Sequence, residues 1–329
     1  MASSHQDPLL QSSEQEYGSP TAVLKFAAQA ASGRRRLLEL QIGGDGACSI
    51  VPLEEPSALY CPGLLSNLYC GTAPPDQIAA ADIVGASTSG SELTIWHAPL
   101  DKPHADKPSR RMRRLVLQLE SSEAAAQAAA HLRSACCWQG YGGEAAPRLL
   151  VVVNPASGPG KAPSIYERQV LPALQAAGAR LTMHTTREPL HAIEIVKSVA
   201  PGSVDAIVAI GGDGTMHEVL QGMLARPDWQ PLAALPFAQI PCGSGNALAA
   251  SMGLWNVATA VHAIVKGQQR ALDIATVLQP SPPRRCFSFL SINFGLVNGI
   301  RWKRCCIYWE QAQFAGRLLP QSLCKWLQT

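Results

Sequence analysis

Val204-Asp-Ala-Ile-Val-Ala-Ile-Gly-Gly-Asp-Gly-Thr-Met-His-Glu218 joins an apolar run, a glycine turn carrying one carboxylate, and the start of a helical pattern. Met216, Val219, Leu220, Met223 and Leu224 recur at the spacing of one helix face, which predicts a helix over 215–225. Pro241-Cys-Gly-Ser-Gly-Asn246 is a second small-residue loop behind another short apolar run. Glycines let backbone N–H groups come close to a phosphate, and a helix N-terminus favours an anion. A carboxylate held there faces a metal, a nucleophile or a phosphoryl group, which is the apparatus of phosphoryl transfer.

Gly43-Gly-Asp-Gly46 repeats the four central letters far upstream, between 37–42 and 48–52. Both flanks are strand-like and neither is helical, so this copy reads as a hairpin turn.

Working outward from Gly211, residues 149–153 are a continuous apolar run, as in a parallel strand covered on both faces. Asn154-Pro-Ala-Ser-Gly-Pro-Gly-Lys161 follows. Ser164 is expected to cap a helix to about 177, kinked at Pro172. A strand over 180–186 comes next, then a helix entered near Pro189 whose inner face is read as Leu190, Ile193, Val196 and Ala200. A third strand spans 204–210. Strand–helix alternation with short loops predicts an α/β doubly wound parallel sheet. Such sheets bind ligands beyond the carboxyl ends of their strands. Residues 154–161, Thr186, 211–214 and 243–246 all fall at that rim. Gly158 and Gly160 lack the third glycine of a dinucleotide fingerprint, and no Walker A spacing is present.

Upstream of this unit, residues 1–21 are polar and are read as a disordered tail. Residues 22–140 hold strand candidates at 37–42, 48–52, 93–97 and 115–119, then an alanine-rich helix over 121–133. That order suggests a small β-rich domain, comparable to a pleckstrin-homology barrel. Arg110-Arg-Met-Arg-Arg114 has two readings: attraction to an anionic membrane, or a solvated strand edge. Across 329 residues the net charge is +3, too small to point to nucleic acid. Ten cysteines include no CxxC pair, which argues against zinc, and the thiols are read as reduced in a cytosolic setting. No run is apolar enough to span a bilayer.

Asn154-Pro-x-Ser-Gly-x-Gly-Lys161, Gly211-Gly-Asp-Gly-Thr-Met-His-Glu218, Arg226-Pro-Asp-Trp229 and Pro241-Cys-Gly-Ser-Gly-Asn-Ala-Leu-Ala-Ala-Ser251 together carry a resemblance. Over about 148–296 the chain resembles lipid kinases of the diacylglycerol kinase catalytic fold, and sphingosine kinases most closely. The resemblance implies transfer of the ATP γ-phosphate to the primary hydroxyl of a sphingoid base, with Mg2+. It implies Asp213 as the catalytic aspartate. It places Asn154, Pro155, Ala156, Ser157, Gly158, Gly160, Lys161, Thr186, Glu218, Gly243, Ser244 and Gly245 around ATP, and Gly211, Gly212, Asp213 and Gly214 around the lipid. No metal ligand set is assigned. The implied setting is cytoplasmic with peripheral membrane contact and no nucleic acid; the oligomeric state is not legible. Bland readings stand beside these. Lys161 also fits a solvated loop cation, and His217, His191 and Cys242 read as packing residues.

The resemblance implies a catalytic unit over 148–271 and a following β-sandwich, whose opening strands are read over 272–297. An aspartate-containing stretch expected after 291–297 is replaced by Asn298-Gly-Ile-Arg-Trp-Lys-Arg. Beyond Asp273, Glu310 is the only carboxylate side chain. Residues 298–329 are read as a divergent tail of a truncated product, with an amphipathic helix through Phe314, Leu318 and Leu323 as the other reading. Two alternatives to sphingoid-base phosphorylation follow: a homologue that binds nucleotide or membrane without turnover, or a kinase of ceramide, diacylglycerol or NAD.

Overall fold

A computed structural model of the protein describes residues 23–30, 37–52, 77–101, 106–141, 146–280, 283–289 and 306–310. The polar segment 1–21 and the helix reading through Phe314 lie outside these residues.

The first strands are β1 (Leu24–Ala30), β2 (Leu37–Ile42), β3 (Cys48–Pro52), β4 (Gln77–Ile78), β5 (Ile83–Ser89) and β6 (Glu92–His97). Two short strands, β7 (Leu100–Asp101) and β8 (Ser109–Arg110), pair with each other, and β9 (Arg113–Leu119) completes the set. Seven of these form one sheet in the order β4-β3-β2-β1-β9-β6-β5, antiparallel throughout. The upstream Gly-Gly-Asp-Gly is the β2–β3 turn, as its flanks predict. Gly43 and Gly46 close it through backbone bonds, and the Asp45 carboxylate accepts the Ala47 N–H at 3.0 Å. Helix α1 (Ser122–Cys136) is capped by Ser121, whose hydroxyl accepts the Ala124 N–H. Its small buried face of Ala124, Ala125, Ala128 and Ala129 lets it lie close on β5 and β6.

The α/β unit runs β10 (Arg148–Val153), α2 (Ala162–Ile165), a π-helical turn at Tyr166–Val170, α3 (Leu171–Ala176), β11 (Arg180–Thr185), α4 (His191–Lys197), β12 (Ala206–Gly211) and α5 (Asp213–Leu224). Then come α6 (Trp229–Ala233), β13 (Phe237–Pro241), α7 (Ala247–Ser251) and α8 (Val257–Val265). Strands β11-β10-β12-β13 make a parallel sheet, with Val153 level with Thr185 and Ile210. Pleating sends Leu149, Val151, Ala206 and Val208 to one face and Leu150, Val152, Ile207 and Ala209 to the other. The first face packs under α3 and α8, the second under α4 and α5. Each fully buried Val, Leu or Ile contributes about 1.5–3 kcal/mol, so these two faces anchor the rim loops.

Three local expectations are corrected. The helix behind the first loop begins at Ala162, and Ser164 lies inside it rather than capping it. Its irregularity precedes Pro172: proline lacks an N–H and crowds the carbonyl four residues back, so the helix widens into the π-turn and the Leu171 N–H reaches Tyr166. In α4 the buried face is Ala192, Ile195 and Val196, while Leu190 is 62% exposed at φ 68°. The helix starts one residue after Leu190, which shifts its phase against the reading from Pro189.

The first core continues without a break from the antiparallel sheet into the α/β unit. Polar ties cross the same boundary. The Trp138 indole donates to the Ala177 carbonyl at 2.7 Å, and the Arg110 N–H donates to Thr259 Oγ1 at 2.9 Å. A His262 ring nitrogen lies 2.7 Å from the Ala81 carbonyl, and Lys266 donates to Ala80 and Cys136. After α8, β14 (Ile274–Pro280) pairs antiparallel with β15 (Pro283–Ser288) and with β16 (Cys306–Glu310). Strand β16 lies inside the stretch read as a divergent tail, where five residues are too few to announce a strand by alternation. Gln221 of α5 exchanges two hydrogen bonds with the Phe287 backbone, fixing this small sheet to the α/β unit.

Candidate functional site

The carboxyl ends of β10, β12 and β13 open into a cleft of about 640 Å³. Asn154, Ala156, Ser157, Gly158 and Pro159 line it from the first loop. Gly212, Asp213, Gly214, Thr215 and Glu218 line it from α5 and its approach, and Gly243, Ser244 and Gly245 from the third loop. Of the residues singled out in the sequence, Pro155, Gly160, Lys161, Thr186 and Gly211 are not in that lining. Lys161 occupies the N-cap position of α2 and is exposed. Thr186 is buried behind β11 and tied by its N–H to Val153. Gly211 ends β12, where a Cβ would meet the Thr215 hydroxyl at 2.5 Å.

Backbone contact between the loops requires glycine at two places. A Cβ on Gly158 would lie 2.2 Å from the Cys242 carbonyl, and Gly158 has φ 63°. A Cβ on Gly243 would lie 2.4 Å from the Cα of Gly212. The loops therefore touch main chain to main chain, and only hydrogen atoms fit between them. Gly214 faces open space, so a bulky ligand has room to reach the first turn of α5.

Asp213 is the first residue of α5 rather than part of the turn before it. Its N–H donates to the Gly245 carbonyl at 3.2 Å. Its carboxylate accepts the Ala247 N–H at 2.8 Å and the Leu248 N–H at 3.2 Å. The aspartate thus caps α7 from across the cleft and orients both rim loops at once. A carboxylate has about four acceptor positions, so two remain for a ligand hydroxyl or a cation. Glu218 makes the same kind of contact with α4, accepting the Ala192 N–H at 3.2 Å.

Two contributors were not singled out in the sequence, Thr215 and Gln239. Asn154 donates to Thr215 Oγ1 at 3.0 Å while accepting the Ala156 N–H, which joins the first loop to α5 through Thr215. Buried Gln239 donates to Gly211 and accepts the Ala249 N–H, and Asn246 exchanges two bonds with Gly243. A polar Gln in the apolar run before Pro241 was the available signal. Arg226 and Asp228, by contrast, are structural. The guanidinium grips Asp228 in a bidentate pair at 2.7 and 2.8 Å and donates to the carbonyls of Lys197 and Val199, closing the carboxyl end of α4 away from the cleft. His191 accepts the Arg187 N–H, and burial pushes the Cys242 thiol up to about 11, so neither is poised for chemistry.

For a divalent cation the cleft offers two carboxylates, Asp213 and Glu218. Among the described residues no group of three or more His, Cys, Asp or Glu gathers to hold a metal. Two carboxylates would leave most coordination positions of such a cation to oxygens of a ligand and to water.

Comparison with known proteins places this region. The family model described as "Diacylglycerol kinase catalytic domain" matches residues 148–277. Sphingosine kinase 2 of Homo sapiens is 38% identical over 164 residues, 47% of this chain and 25% of that protein. Sphingosine kinase 1 of Arabidopsis thaliana is 39% identical over 158 residues, 46% of this chain and 32% of that protein. The aligned segment thus spans a quarter to a third of those relatives' own length. A solved diacylglycerol kinase from Bacillus anthracis str. Sterne is 28% identical, with 40% of this chain and 46% of that chain covered and a TM-score of 0.34. Residues 148–277 are thus similar to the diacylglycerol kinase catalytic domain and to the corresponding part of sphingosine kinases.

Proposed function

We propose that the protein transfers the γ-phosphate of ATP to the primary hydroxyl of a sphingoid base, converting sphingosine to sphingosine 1-phosphate. The observation that carries the reading is the Asp213 carboxylate, held by Ala247 and Leu248 beside loops whose glycines leave backbone N–H groups open to a phosphate. Asp213 accepts the hydroxyl proton as the new O–P bond forms and ADP leaves. Asn154, Pro155, Ala156, Ser157, Gly158, Gly160, Lys161, Thr186, Glu218 and the segment from Gly243 to Gly245 are assigned to ATP. Gly211, Gly212 and Gly214 are assigned to the meeting point of lipid and nucleotide. Mg2+ supplies charge neutralisation on the phosphates, with Asp213 and Glu218 as the side chains nearest to hand.

The N-terminal antiparallel sheet with its closing helix is read as pleckstrin-homology-like, and the α/β sheet as doubly wound. The setting is read as cytoplasmic with peripheral membrane contact; among the described residues no helix is long and apolar enough to cross a membrane. A second reading, nucleotide binding without turnover, is favoured by one fact: each Asp213 oxygen already accepts an amide.

The deciding experiment is phosphate transfer from labelled ATP to sphingosine by the full chain with magnesium, beside Asp213→Asn. Product formed by the wild type and lost in the variant supports turnover. ATP binding without product, from folded protein, leaves the binding-only reading.

A further inference from the structure

We propose that a second cleft, separate from the one above, binds a phosphate monoester anion. It lies where the β8–β9 segment of the antiparallel sheet meets the π-turn and α8, and has a volume of about 570 Å³. Five arginines line it: Arg110, Arg111, Arg113, Arg114 and Arg168. No Asp or Glu is among its lining residues, and it shares no residue with the glycine-loop cleft.

Only one of these charges is neutralised by a carboxylate among the described residues. Arg110 pairs with Asp82 at 2.6 Å and donates to the Ala98 carbonyl at 2.7 Å. Arg114 lies over the Trp96 ring at 5.3 Å. Arg111, Arg113 and Arg168 have no ion pair among the described residues. Trp96, also in the lining and 8% exposed, carries a buried indole N–H that has no hydrogen-bond partner among the described residues. Like charges gathered in a cleft repel one another, and the apolar walls of Met112, Pro172 and Val261 reduce the screening that water would give. A bound dianion relieves that repulsion. Guanidinium forks match phosphate oxygens two at a time, which favours a phosphate group over a simple halide.

The arginine run, read in the sequence as membrane-attracting or as a solvated strand edge, forms one wall of this cleft. Arg113 and Arg114 open β9, which pairs with β6 at these residues, and their neighbours turn toward Arg168 of the other unit to enclose a site. The ligand therefore bridges the two units. Its source is a lipid headgroup or a free metabolite carrying the same group.

The test uses the full chain with two probes bearing one headgroup: glycerol 3-phosphate by calorimetry, and phosphatidylcholine vesicles with and without phosphatidic acid by co-sedimentation. Saturable binding of either probe is expected, weakened about tenfold or more in Arg113→Gln/Arg168→Gln and unchanged in Asp213→Asn. Binding to phosphatidic acid vesicles alone identifies a headgroup site, and binding of glycerol 3-phosphate identifies one open to free compounds. The exposed single variants Arg111→Gln and Arg168→Gln give the same reading if the double variant does not fold. Absence of binding to both probes, or binding kept by folded arginine variants, overturns the proposal.

Discussion

The carboxylate of Asp213 accepts the backbone N–H of Ala247 at 2.8 Å, so one side chain both faces the cleft and caps the helix on its far wall. Position and stability are coupled at this residue, and the two can be separated by choice of substitution.

Asp213→Asn keeps the shape and one carbonyl oxygen for the Ala247 amide but removes the charge and the proton-accepting site. Turnover should fall below detection while the unfolding free energy drops by less than about 1 kcal/mol. Asp213→Ala removes the cap as well and should cost about 1–2 kcal/mol. Asp45→Asn, in the β2–β3 turn, should leave turnover unchanged. Rates and denaturant midpoints measured together check the set; equal loss of turnover at Asp45 and Asp213 would refute the distinction between the two Gly-Gly-Asp-Gly segments.

Gly243→Ala and Gly214→Ala should behave in opposite ways. The first puts a methyl 2.4 Å from the Gly212 Cα and must spread the loops, so nucleotide affinity should fall at least about tenfold. The second meets nothing within 4 Å and removes a helix glycine, so stability should rise by about 0.5–1 kcal/mol. Nucleotide titration and thermal unfolding of both variants supply the check.

Glu218→Gln retains an acceptor for the Ala192 amide, and its stability should stay within about 0.5 kcal/mol of wild type. If the carboxylate serves the nucleotide or its cation, the magnesium concentration for half-maximal rate should rise several-fold. An unchanged magnesium dependence would assign Glu218 to capping α4 alone.

Acid should loosen the junction of the two units. Burial is the main cause that pulls His262 down to about 4, with the nearby Arg110 and Lys266 charges adding to it. His97 is pulled down to about 4 by burial first and Arg113 second. Both are neutral in the fold, and in the unfolded chain they take up a proton near 6.5. Their contribution is therefore complete above about pH 6.5 and is lost as pH falls toward 4, by at most about 3 kcal/mol for each group. Denaturant midpoints followed from pH 7 to pH 4.5 should decline, and His262→Gln should flatten part of that slope.

Much of the α/β unit is legible in the chain. The run 149–153 and the helix-face pattern from Met216 to Leu224 announce buried elements, because covered strands and amphipathic helices leave periodic apolar marks. The N-terminal strands β1 and β5 went unread. Leu-Lys-Phe-Ala-Ala-Gln-Ala and Ile-Val-Gly-Ala-Ser-Thr-Ser have weak strand propensity, and pairing partners rather than local preference make them strands. The phase of α4 was misread for a similar reason: its start is set by the Glu218 cap and the αL backbone at Leu190, neither of which leaves a periodic signal.

Three of the four expected rim segments, 154–161, 211–214 and 243–246, are legible in the chain because glycine, aspartate and the apolar runs before them are local chemistry; the fourth, Thr186, lies outside the cleft lining. Tertiary structure alone decided what those side chains hold. Asp213 and Glu218 each cap a distant helix, Arg226 closes α4 instead of serving the cleft, and five arginines from two units face one hollow. Such relationships join residues far apart in the chain, and only the packing of the sheets and helices brings their charges and amides within bonding distance.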